Sequence, residues 1–294
     1  MGRHLLRGIP VEIRVSMTTG KLLMSMWDFE PSVIAGSVLL LAGYLAAVRF
    51  RFDRRTILFL CGVAVMFFAL VSPLDGLGDT YLFSAHMLQH ILLDLVAPPL
   101  FILGLPEGLA RRIVSWRPAG AAERFLGRLP VAWTLGIGTL WIWHLPALYD
   151  ATLESEAVHI FEHLTFLVTG TILWWPVLTP LRERRMPPLF SMGYLSLAAV
   201  ANAVLGIIFT ISSTPFYAPY AHPEDPLGAL PLIRGVWGLD PIQDQQLGGA
   251  FMWGIGSLVF FSGIMGQVIR WFGEPESEEE FHTGGEKSKA GDAT

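Results

Sequence analysis

Two pairs of histidines sit four residues apart, His86 and His90 in SAHMLQH and His159 and His163 in SEAVHIFEH. On a helix that spacing separates two side chains by about 40° and one turn, so both imidazoles of a pair can reach one ion. His144, in WIWHLPALYD, is a fifth nitrogen donor within reach of the same chemistry. Imidazole suits copper, zinc, nickel and iron. Asp94 continues the face of His86 and His90 one turn further on, as a metal ligand, a buried structural acid or a proton-relay group. Met87 and Met252 offer thioethers that suit Cu(I). Asp244, Gln245 and Gln246, in DPIQDQQLGG, have the chemistry to orient ring nitrogens from behind. HIFEH also fits H-x-x-E-H, where Glu162 would act as general base on zinc-bound water. Two histidines on one turn cannot take opposite axial positions on a haem iron, which argues against bis-histidine haem. The bland alternative is that each histidine only hydrogen-bonds a neighbouring helix.

The elements that must carry these residues are apolar. Of 294 residues 52% are hydrophobic and 15% are charged, against about 25% charged in an ordinary soluble domain. Seven stretches read as membrane spans of an all-α, polytopic bundle: 32–48, 56–71, 81–103, 131–145, 157–178, 189–211 and 247–271. Residues 105–130 read as short interfacial helices, and Trp141, Trp143, Trp174, Trp175 and Trp271 as an aromatic belt. Arginine gathers in alternate loops: Arg49, Arg51, Arg54 and Arg55; then Arg111, Arg112, Arg117, Arg124 and Arg128; then Arg182, Arg184 and Arg185. The positive-inside rule puts those loops in the cytoplasm, the N-terminus outside and the C-terminus inside.

That topology brings five of the eight histidines to one depth, within about 10–15 Å of the outer boundary. Ionisable groups in a membrane segment are costly and tend to mark function. The site is therefore expected on the periplasmic or extracellular face. His4, His222 and His282 fall outside the helical core. The domain reading is an N-terminal extension over 1–30, a membrane domain over 31–272 and an acidic, disordered cytoplasmic tail over 273–294. The extension carries Arg3, Arg7, Arg14 and Lys21 on the side that should be poor in basic residues, so a start at Met17, Met24 or Met26 is expected instead. Cys61 stands alone, which excludes a disulfide within the chain and thiolate-rich metal sites. No Walker loop, dinucleotide fingerprint or basic nucleic-acid patch is present. The glycines of TLGIGTL and WGIGSLVFFSGIMG read as close helix contacts, and Pro98 and Pro99 as a kink or unwinding of the third span. The long loop 212–246, with Tyr217 and Tyr220, reads as a lid or a partner contact.

Three stretches resemble a known family in order along the chain: SAHMLQHILLDLVAPPLFILGLP, WIWHLPALYDATLESEAVHIFEHLTFLVTGTILWWPVL, and PFYAPY followed by DQQLGGAFMWGIGSLVF. They are similar to the multi-pass, caa-type cytochrome c oxidase assembly factors often called CtaG, over roughly residues 27–270. The resemblance implies a bacterial plasma-membrane protein, embedded in the lipid bilayer, that matures a haem–copper oxidase by delivering copper to its catalytic subunit. It implies no ligands; the set His86, His90, His144, His159 and His163 comes from depth and spacing. It implies oxidase subunits as partners and leaves the oligomeric state open. The competing reading is an intramembrane zinc hydrolase with Glu162 or Asp94 as base. A third is a metal-free scaffold for oxidase subunits.

Overall fold

A computed structural model of the chain describes residues 17–273. The acidic tail and residues 1–16, with His4 and His282, lie outside the described residues, and His222 is exposed. Among the described residues every regular element is a helix. A short α1 (Thr19–Ser25) precedes α2 (Pro31–Ala47), which starts on the preset φ of Pro31. Next come α3 (Arg54–Val71), capped where Asp53 accepts from Thr56 N at 2.9 Å, and α4 (Pro73–Thr80), capped by Ser72.

The third span is composite. α5 (Phe83–His90) runs into a π-turn over Ile91–Val96 and then α6 (Ala97–Gly104), together 22 residues. Pro98 and Pro99 explain the widened turn. Neither has an N–H to donate four residues back, and the Ala97 N–H reaches Leu92 O, five back. The disruption expected at these prolines is thus a local widening that lets the helix continue.

Two short amphipathic helices, α7 (Glu107–Ser115) and α8 (Arg117–Leu126), occupy the stretch expected at the interface. α9 (Leu129–Trp143) and α8 are bent by 77° across Gly127 and Arg128. α10 (Pro146–Glu154) and α11 (Glu156–Leu178) follow, then a 3-10 turn over Arg182–Arg184 and α12 (Pro188–Ile211). α13 (Ala218–Ala221), a π-turn over Pro231–Val236 and the 33-residue α14 (Pro241–Gly273) complete the described residues.

Among the described residues five helices are long and apolar enough to cross a membrane: α3, α5–α6, α11, α12 and α14. α8 with α9 makes a sixth if the bent pair counts as one span. Two of the seven expected spans, 32–48 and 131–145, therefore correspond to helices of only 17 and 15 residues, α2 and α9. At 1.5 Å per residue these reach about 25 Å and 22 Å, short of a hydrocarbon core of about 30 Å. The molecule is a multi-pass helical membrane protein.

Glycine brings the long helices into backbone contact, as expected. A Cβ on Gly206 of α12 would stand 2.7 Å from Gly249 O of α14, and one on Gly249 would stand 2.5 Å from Gly206 O. Gly136 of α9 similarly rests on Leu173 of α11. Trp174 departs from the aromatic belt: it is buried, stacked on Phe260 with ring centroids 5.6 Å apart.

The arginine-bearing loops gather at one end of the bundle. Arg111 binds Glu107 and Glu183, Arg184 pairs with Glu123, and Arg55 donates to Leu105 O. The other end is a packed cap: Leu22 and Met26 from the N-terminal segment meet Leu77, Tyr81, Leu82, Leu232 and Ile233. Within the expected extension, residues 17–30 are thus partly built into the core.

Candidate metal centre

His86 and His90 leave α5 on the face turned to α11, which returns His163 and Glu162. The start of α5 is fixed from outside its own sequence. Asp244, on α14, accepts from the N–H groups of Phe83 at 2.7 Å and Ser84 at 3.2 Å, and from the Ser84 hydroxyl. A carboxylate on the free N–H groups of a helix start anchors that turn. Gly78 of α4 allows the same close approach on the other side, since a Cβ there would lie 3.0 Å from His86 Cα.

One ligand atom each from His86, His90, Glu162 and His163 lies within 4.8 Å of all the others. Glu162 Oε2 is 3.7 Å from His86 Nε2 and 3.6 Å from His90 Nε2. Those separations are too long for hydrogen bonds. They are close to the ~3.4 Å edge of a tetrahedron of ligands about 2.1 Å from an ion. All four side chains are buried, His86 and Glu162 at 0% exposure. His86 Nε2, both nitrogens of His90, His163 Nε2 and both oxygens of Glu162 have no hydrogen-bond partner. Buried polar atoms left unpaired cost roughly 1–3 kcal/mol each. So many at one point fit a bound cation that uses their lone pairs. The set of three imidazoles and one carboxylate suits copper, zinc, nickel or iron.

The remaining candidates flank this centre. His159 turns from it towards Asp79, with Nε2 3.3 Å from Oδ1, and with His86 these two form a second ligand-spaced group. His144 lies on the far side of His90, ring centroids 6.1 Å apart, with Nε2 3.2 Å from Met87 Sδ. Asp94, 4% exposed, is carried past the cluster by the π-turn, and its Oδ1 is unpaired. Met252 is buried beside Met87 in the same aromatic core.

Asp244 and Gln245 do not touch an imidazole. Asp244 caps α5, and Gln245 accepts from Phe216 N at 2.7 Å and donates to Thr214 O at 3.1 Å. Gln246 donates to Ser212 O. Through these bonds they fix the chain that encloses the site.

Two partners were invisible in the residue pattern, Asp79 and Tyr149, and a third, Tyr220, was marked only as part of the long loop. The Tyr149 and Tyr220 hydroxyls lie 2.6 Å and 3.0 Å from His86 Nδ1 and 3.1 Å from each other. Tyr220 donates to Gly78 O at 2.6 Å. Burial raises both phenols well above their ordinary range, so both keep their protons. One proton arrangement makes three of these four contacts hydrogen bonds. Tyr220 gives its proton to Gly78 O, Tyr149 gives its own to the Tyr220 oxygen, and His86 Nδ1–H donates to Tyr149. His86 Nε2 is then a bare lone pair aimed into the cluster. Tyr217 donates to His144 O at 2.9 Å, so the tyrosines of the long loop 212–246 are folded over the site. Nearby, Gln89 donates to Asp75 at 2.6 Å, and burial raises the Asp75 carboxyl to about 6.

A multi-pass helical membrane protein with imidazoles and a carboxylate gathered inside its bundle is the class that fold and site define. Comparison with known families makes that class specific. The chain belongs to the cytochrome c oxidase caa3 assembly factor family, whose model matches residues 39–274. It is similar to uncharacterized proteins of Mycobacterium bovis and Mycobacterium tuberculosis, each 29% identical over 272 residues, and to one of Mycobacterium leprae, 25% identical over 270. These alignments cover 84% of this chain but 40% of each relative, so the chain spans about two fifths of their length. No solved structure matches significantly.

Proposed function

We propose that the chain is a non-enzymatic assembly factor that holds copper at His86, His90, His163 and Glu162 and hands it to the catalytic subunit of a haem–copper oxidase. Membership of the oxidase assembly family supports the destination. The observation that carries the cargo is the convergence of four buried donors whose lone pairs have no partner in the protein. Copper is cargo in this reading. It arrives from the outer face, where Asp79 and His159 form the rim, and leaves by exchanging a few ligands at a time. In this reading the short α2 and α9 also cross, making seven spans, and the positive-inside rule supports arginine loops in the cytoplasm and the histidine end outside.

The zinc hydrolase reading shares the donor set but fits less well. Glu162, the base that reading needs, is sealed between His86 and His90 under Tyr149, Tyr217 and Tyr220, and the apolar groove of about 310 Å³ beside His163 is not lined by it.

The test is complementation of a strain lacking the gene with wild type, Glu162→Gln and His163→Ala, measuring oxidase copper and activity beside the amount of both proteins in the membrane. The expected result is an oxidase that is present but copper-poor in both variants, partly repaired by added copper. A fully copper-loaded oxidase in both would overturn the proposal.

A further inference from the structure

We infer a second site in this chain, for a soft monovalent cation, built from Met87 Sδ and His144 Nε2 with His90 and Met252 closing it. It rests on the copper reading of the histidine–glutamate cluster and gives that cargo an inner station.

The argument starts from the proton on His144. Its Nδ1 lies 2.7 Å from Leu140 O. A carbonyl oxygen only accepts, so Nδ1 carries the hydrogen of the neutral ring and Nε2 is a bare lone pair. That lone pair points at Met87 Sδ, 3.2 Å away. A thioether has no hydrogen to offer, so two electron-pair donors face each other with nothing between them. Both side chains are buried, Met87 at 0% and His144 at 5% exposure. A hard cation would gain little from sulfur. Imidazole with thioether is a donor pair for a soft d10 ion such as Cu(I) or Ag(I).

The surroundings supply room and further ligands. Met87, His90, Asp94, His144 and Met252 line one small cavity of about 10 Å³, space for about one water-sized atom. On α5 and the π-turn, Met87, His90 and Asp94 form a stripe facing this cavity, while His86 and His90 face Glu162. His90 therefore belongs to both sites, and neither of its ring nitrogens has a hydrogen-bond partner. An ion entering as Cu(I) can keep His90 while the bonds to His86, His163 and Glu162 break and those to Met87 Sδ and His144 Nε2 form. The charge of the ion does not change and no electron moves, so the step needs no reductant.

The experiment uses the full chain in detergent, loaded anaerobically with Cu(I), read by X-ray absorption and by Ag(I) titration. Four proteins are compared: wild type, Met87→Leu, Met87→Leu with Met252→Leu, and Glu162→Gln with His163→Ala. Circular dichroism reports folding. Wild type is expected to show sulfur beside nitrogen around copper. Sulfur scattering is expected to fall in Met87→Leu and to vanish in Met87→Leu with Met252→Leu, with Ag(I) affinity at least about tenfold weaker, and to persist in Glu162→Gln with His163→Ala. A copper shell of nitrogen and oxygen alone in wild type, or sulfur that survives both methionine substitutions, would overturn the soft site while the copper reading stands. A wild type that binds neither ion would overturn both.

Discussion

At the scale of single residues, the centre depends on which ring nitrogen carries a proton. His86 ligates through Nε2 when its ring proton sits on Nδ1, and Tyr149, with its own proton directed to Tyr220 and that of Tyr220 to Gly78 O, favours that tautomer by accepting it. Tyr149→Phe keeps the ring stacked on Tyr217, centroids 3.9 Å apart, and removes the oxygen. The expected outcome is a loss of metal affinity of about 10–100-fold with helicity and thermal midpoint nearly unchanged. An unchanged affinity would show that the hydroxyl does not set the tautomer. These residues were unequally legible. His86 with His90, and His163 with Glu162, announce themselves because helical spacing is a short-range pattern. Tyr149 and Tyr220 reach His86 from 63 and 134 residues away, and Asp79 on α4 reaches His159 on α11, so no local pattern marks these contacts. His144 and His159 share the depth of the others, yet depth fixes only one coordinate. Their direction around the helix axis takes them to Met87 and to Asp79.

At the scale of elements, the composite third span shapes the site. Pro98 deprives the Asp94 carbonyl of its usual helical donor, and α11 approaches that carbonyl at Gly170. A Cβ on Gly170 would run into Asp94 O and stand 2.6 Å from Asp94 Oδ1. Gly170→Ala must therefore push α11 away from the π-turn, and α11 carries His163 and Glu162. The expected cost is about 1–3 kcal/mol, typical of overpacking, seen as a lower thermal midpoint in detergent together with weaker metal binding. A variant as stable and as metal-competent as wild type would mean that the contact is slack. The sequence marks the break with Pro98–Pro99 and the close contacts with its glycines. It does not say which glycine meets which helix, because that depends on how the helices are rotated in the bundle.

At the scale of the whole molecule, hydropathy made the long helices plain, since apolar runs of about 20 residues have few other uses. The two short helices, α2 and α9, are where the count of spans becomes a matter of tilt and packing. Loops 49–55, 105–128 and 181–185 meet through Arg55, Arg111 and Arg184 at the end away from the histidines, so arginine content and the histidine cluster mark opposite ends of one bundle. That polarity suits a protein that takes up an ion on one side of a membrane and presents it to a neighbouring membrane protein. Copper in the cluster is the central claim, and its most direct measurement is elemental analysis of the full chain, purified anaerobically in detergent from copper-supplied cells. It would be set beside the His86→Ala with His90→Ala variant purified in the same way and shown to be folded. The account predicts copper bound to the wild type and lost from the variant. Equal copper in both proteins, or zinc in place of copper in the wild type, would contradict it.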